Sequence, residues 1–134
     1  MFTQHCFIRK NTAELRQKLS SLGWTANCFD QFESEWLAAN YNKFISVDKG
    51  FEKLFPDDID CGTNEDLFLA LAALRGDKDY MQWFTDGTYF IQCDRQDWID
   101  MYSTLCSGGK YTIEELDRFH KATVKELIEH FKQK

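Results

Sequence analysis

The longest apolar run of the chain, Leu67 to Leu74, is built from Leu, Phe and Ala and reads as a helix apolar around its whole circumference. Such a helix needs cover on more than one side. Beyond it, Tyr80–Phe84 and Thr88–Cys93 flank Thr85-Asp86-Gly87, which predicts a β-hairpin folded back over the helix as part of that cover. A two-residue turn at Asp86-Gly87 would pair Met81 with Gln92 and mix polar with apolar on both faces. A three-residue loop, Thr85 to Gly87 with Gly87 left-handed, pairs Met81 with Ile91 and Trp83 with Tyr89, so this register is the expected one. Its second face then carries Tyr80, Gln82, Phe84, Phe90 and Gln92, a mixture suited either to a second packed layer or to an exposed aromatic patch.

Other periodic segments surround this centre. His5–Arg9 is a short strand candidate, followed by Asn11-Thr12-Ala13-Glu14 with the N-cap and acid of a capping box. Leu15, Leu19 and Leu22 keep helical spacing up to Gly23 at the C′ position. Between residues 24 and 47 two patterns compete. Phe29, Phe32, Glu33 and Trp36 fit a helix, whereas Trp36–Tyr41 and Phe44–Val47 around Asn42-Lys43 fit a second hairpin, which the β-branched second arm favours. Lys49–Cys61 reads as an acidic connection in which Pro56 bars a continuous helix. Asp94–Asp97 opens a helix with Trp98, Met101, Tyr102 and Leu105 on one face, ended by Ser107-Gly108-Gly109-Lys110; Thr112 and Thr123 start two more.

The fold expected is therefore α+β: a small, mainly antiparallel sheet with hairpins, packed against amphipathic helices near residues 11–22, 64–75, 95–106 and 123–132. A length of 134 residues suits one domain over 1–134. The caps Asn11, Thr63, Thr112 and Thr123 each precede an acid and a Leu at the same offsets, which raises an internal duplication, 6–47 against 61–93, as an alternative to ordinary capping chemistry.

Charge narrows the partners. The net −6 is uneven, with ten acidic against three basic residues between 25 and 66, so a phosphate backbone is repelled there and direct nucleic-acid binding is disfavoured. Five widely spaced cysteines without a C-x-x-C read as small hydrophobes in a reducing, cytoplasmic compartment. No apolar run approaches a membrane span, and the N-terminus has no signal pattern.

Candidate chemistry is thin. Asp58-Ile59-Asp60-Cys61-Gly62 brings its glycine one residue too early for a calcium loop and has Leu69 where the closing Glu belongs, so Asp57, Asp58 and Asp60 are expected as a solvated turn. Ser107-Gly108-Gly109-Lys110 lacks the first glycine of a phosphate loop, and Tyr111 stands where its Ser or Thr would be. His5, His120 and His130 share no ligand spacing, so neither a metal nor a cofactor is expected.

Phe68–Arg75 with Tyr80–Phe84, and the tail His120–Phe131, resemble segments of small uncharacterised bacterial proteins found in phage-like or mobile-element contexts. The resemblance implies a bacterial accessory protein and carries no activity. The expected function is a non-enzymatic module binding a protein partner, motivated by twenty-one aromatic residues, with Tyr80, Gln82, Phe84, Phe90 and Gln92 as its contact face. The competing classes are a ligand-binding protein or enzyme whose pocket uses Cys93, His5 or His120, and an acidic DNA mimic built on residues 25–66.

Overall fold

In a computed structural model, which describes residues 2–40, 43–75 and 78–132, the contested segment is a hairpin. Trp36–Asn40 runs antiparallel to Lys43–Val47, with Asn40 opposite Lys43 and residues 41 and 42, outside those described, between the arms. Trp36 and Ala38 point to one side and Leu37 and Ala39 to the other, and all four are buried. A strand buried on both faces is an apolar run without clean alternation, which is why its helical spacing competed in the sequence.

The chain is α+β and is described as two compact units, residues 1–74 and 75–134. The first contains β1 (Cys6–Ile8), α1 (Ala13–Leu22), β2 (Thr25–Ala26), β3 (Trp36–Asn40), β4 (Lys43–Val47), α2 (Phe51–Leu54), β5 (Ile59–Asp60) and α3 (Glu65–Ala72). Its sheet has the order β2-β4-β3-β1-β5 and is mixed, since β1 pairs parallel with β5 and β2 parallel with β4. One face packs Phe7, Trp36, Ala38 and Phe51 with Ile45 and Val47. On the other, the Cys6 thiol donates to the Phe68 carbonyl of α3.

The apolar helix α3 does bury most of its circumference, with Leu67, Phe68, Ala70, Leu71 and Ala72 all inside. Within its unit the cover comes from β1 and α1, the part the sequence reading gave to the 80–93 hairpin. Full burial of Phe68 stabilises by about 2–3 kcal/mol. At the far end of α3 the Trp24 indole N–H donates to the Ala72 carbonyl at 2.8 Å, satisfying an acceptor that the last turn leaves over. Beyond the two-residue β2, which covers only Lys43 and Phe44 of β4, the Asp30 carboxylate accepts from both the N–H and the hydroxyl of Ser46 and so occupies the part of β4 left uncovered.

The second unit contains β6 (Trp83–Thr85), β7 (Phe90–Gln92), α4 (Trp98–Ser107), α5 (Ile113–Leu116), β8 (His120–Lys121) and α6 (Val124–Lys132). A three-stranded antiparallel sheet runs β7-β6-β8, so the 80–93 hairpin belongs to a sheet of its own. Strand β8 has no periodic signal, being only two residues long. Leu127 and Phe131 of α6 are buried, and the Phe131 ring meets Trp83 edge-on at 5.4 Å.

The hairpin register differs from the expected one. Trp83 pairs with Gln92, Phe84 with Ile91 and Thr85 with Phe90, leaving a four-residue loop, 86–89. The loop's polar groups explain the choice: Asp86 Oδ1 accepts from the N–H groups of Thr88 and Tyr89, and the Thr85 hydroxyl donates to the Tyr89 carbonyl. A three-residue loop would forgo these bonds. Beyond the strand, Met81 at φ 64° donates to the Cys93 carbonyl while the Cys93 N–H donates to Gln82, the bonding of a bulge whose left-handed position glycine usually fills.

Two of the four expected caps move by one residue. Thr12 accepts from Leu15 N and Asn64 from Leu67 N, in place of Asn11 and Thr63. Asn11 instead donates to the carbonyls of Phe32 and Ser34, holding the loop that leads to β3. Thr112 with Glu115 and Thr123 with Glu126 form the reciprocal boxes expected. The starts thus fall into two kinds, Leu at N3 in α1 and α3, Glu at N3 in α5 and α6. The order strand, helix, hairpin recurs in 6–47 and 61–93 only loosely, since β3–β4 joins the sheet of β1 whereas β6–β7 forms a separate one.

Candidate functional site

The five residues expected to share a contact face are not brought together on one. Gln82 is fully buried, its amide donating to the carbonyls of Arg75 and Lys78. Phe84 is 5 % exposed and stacks on Trp98 of α4 at 4.2 Å. Thr85 pairs with Phe90, and because side chains alternate along a strand, Phe84 points away from Phe90 and Gln92. Phe90 lies half-buried under the His130 ring at 3.9 Å, and Gln92 donates to the Met81 carbonyl. Tyr80 sits in the turn before β6, outside the ladder, and is exposed. The four-residue loop is the cause, since it shifts the register and exchanges which side chains face inward.

That same loop builds a different surface. Gly87, at φ 100°, donates to the Thr85 hydroxyl, so both Thr85 and Asp86 are used to fix the loop's shape. The result leaves Tyr89 with 67 % of its surface exposed. Opposite, α4 ends at Ser107 with Gly108 as its cap, the left-handed Gly109, Lys110 and Tyr111 follow, and the capping box of α5 leads to Arg118 and Phe119. Buried Leu116 anchors this wall. Asp86, Tyr89, Lys110, Tyr111, Glu115, Arg118 and Phe119 line an open groove of about 360 Å³.

The charges of the groove are unequal in availability. Asp86 accepts two backbone N–H groups, which together with the nearby Arg118 charge hold its carboxyl below the ordinary carboxylate value. Glu115 accepts from the Thr112 N–H. Both carboxylates are thus committed to the fold. Arg118 and Lys110 have no carboxylate within ion-pair distance among the described residues, and Lys110 lies 5.9 Å from the centre of the Tyr111 ring. No family model matches the chain, and no curated protein or solved structure is significantly similar to it.

The groups weighed for catalysis are occupied elsewhere. Burial pushes the Cys93 thiol above its ordinary value, and its proton is directed at the carbonyls of Arg95 and Asp97. A protonated, enclosed thiol is a poor nucleophile. Burial raises Cys6 further, with the adjacent Cys61 thiol and the Asp58 charge acting the same way. His120 is exposed and bonded to Glu126 at 2.9 Å. His5 lies 3.9 Å from Asp58. Among the described residues no three His, Cys, Asp or Glu side chains could together hold a metal ion, and no helix is long and apolar enough to cross a membrane.

The acidic stretch is also rearranged relative to expectation. Asp58, expected in a solvated turn, has a side chain only 6 % exposed and accepts from the Asn40 amide at 2.7 Å. Asp60 forms a two-pronged pair with Arg9, Glu65 pairs with Lys10, and Asp30 is turned into the sheet edge. A row of free carboxylates, which a DNA mimic needs, is reduced accordingly.

The signal for the groove was present in Asp86-Gly87-Thr88-Tyr89, where an Asp followed by backbone donors fixes a loop and leaves the aromatic outside. Ser107-Gly108-Gly109-Lys110 shows in the sequence only the end of a helix. Nothing in the local pattern brings the two segments opposite each other.

Proposed function

We propose that the protein is a non-enzymatic interaction module and that the groove between loop 86–89 and residues 110–119 is its contact site. The observation that carries this is an exposed tyrosine beside two cations with no carboxylate within ion-pair distance among the described residues, on a loop fixed by its own hydrogen bonds. Tyr and Arg are, with Trp, enriched among the few residues that dominate binding at protein interfaces, and a preformed frame spares the cost of ordering them. The reading fits an accessory role in a reducing cytoplasm, in keeping with five cysteines left as free thiols.

The test is affinity capture from cells of the source organism with the wild-type chain and with a Tyr89→Ala, Arg118→Gln double variant. Both residues are exposed, so the fold should survive, which the far-ultraviolet circular dichroism and melting temperature check. Proteins retained by wild type and lost by the variant are the expected result. Identical recovery by both forms would remove the groove as the contact site.

A further inference from the structure

We infer that the segment docking in this groove presents a single carboxylate next to an aromatic ring, within a short extended stretch of a partner protein. The inference rests on the groove being the contact site and names what it reads. Two features set the carboxylate. The Arg118 guanidinium offers a planar fork of donors matched to a carboxylate, and Lys110 adds a second positive charge on the opposite side of Tyr111 in sequence. Neither has a carboxylate within ion-pair distance among the described residues, the Arg118 charge acting on Asp86 only from further off, so an incoming carboxylate displaces no close ion pair.

The number of carboxylates is limited by what surrounds them. Asp86 and Glu115 line the same groove and each accepts from backbone N–H groups, so a second anion would meet these two carboxyl groups directly. Residues 75–134 hold nine Lys and Arg against eleven Asp and Glu, and the whole chain carries −6, a field that repels a polyanion. A nucleic-acid strand or an acidic tail is therefore a poor occupant, whereas one carboxylate in a groove lined by Lys110 and Arg118 is a good one.

The ring follows from the walls. Tyr89, Tyr111 and Phe119 line the groove together, and the Tyr89 face is open to solvent. Such surfaces gain by covering one another with another ring, stacked or edge-on. The groove is partly open to solvent, so a short extended peptide can reach it.

The experiment is an amide NMR titration of the full chain with the hexapeptide Gly-Ser-Asp-Phe-Ser-Gly. Saturable shifts confined to residues 86–89 and 110–119, with a dissociation constant below about 1 mM, are expected. Replacing the peptide's Asp by Asn, or its Phe by Ala, should weaken binding about five-fold or more, as should Arg118→Gln or Tyr89→Ala in the protein. Raising salt from about 50 to about 500 mM should weaken the Asp peptide and leave the Asn peptide unchanged. Amide positions outside the groove serve as the check that each variant is folded.

Equal affinity for the Asp and Asn peptides, shifts elsewhere on the chain, or no saturation would overturn the inference. So would the same shifts appearing on concentrating the protein alone, which would make a second copy the occupant. If the peptide fails while the double variant still loses its captured partners, the ligand class is wrong and the site stands. If the variant keeps those partners, the site itself is wrong.

Discussion

Asp58 shows how far a single side chain can depart from its sequence context. Three aspartates within four residues look solvated, yet Asp58 is enclosed beside His5 and Asn40 while Asp57 is exposed. Burial raises its carboxyl above the ordinary value, with Asp57 adding to the effect and the Asn40 amide and His5 opposing it. A carboxyl raised on folding binds protons more readily in the native state, so it reduces stability as pH rises from the unfolded value through the folded one. Asp58→Asn is therefore expected to raise the melting temperature at pH 7 by about 2–5 °C and to change it little at pH 3. A drop at pH 7 would mean that the ionised carboxylate is needed for the contacts around it.

The elements carry the register problem. Existence and type were legible: the periodic leucines of α1, the apolar α3, the Thr-x-x-Glu starts of α5 and α6, and both hairpins follow from local patterns. Register was not, because the expected pairing maximised apolar alternation while the structure satisfies the polar atoms of the loop. Thr85 and Asp86 outweigh alternation since each unmade bond in a turn costs on the order of 1 kcal/mol.

The two registers differ measurably. In the structure Phe84 is enclosed against Trp98, so Phe84→Ala should cost about 3–5 kcal/mol. Phe90, half-buried under His130, should cost about 1–2 kcal/mol on the same change. Urea midpoints for the two variants decide this, and similar losses at both positions would favour the register in which they share a face. The caps are a milder case of the same competition. Asn11-Thr12 and Thr63-Asn64 each offer two capping side chains in succession, and in the first pair Asn11 is taken by carbonyls some twenty positions ahead.

At the scale of the whole molecule, the acidic charge and the two cations of the groove make opposite demands that the groove reconciles by being small. The chain as a whole should not associate with a phosphate or sulfate polymer despite Lys110 and Arg118. On a heparin matrix at about 0.15 M salt it is expected to pass unretained. Retention reversed by salt would point to a basic surface larger than the groove.

What the sequence settled alone is what local rules govern: the α+β class, most helix starts, Gly23 as a left-handed stop, and a four-strand contribution from two hairpins. Those features depend on neighbours within a turn or two, whose propensities and caps add up over short windows. The tertiary structure decided what depends on residues far apart in the chain. It separated the two sheets, enclosed Asp58, sent Gln82 and Phe84 inward, and set Tyr89 across from Lys110 and Arg118. Burial and pairing between distant segments are set by which surfaces exclude water together, and no window of the sequence contains both sides of such a contact.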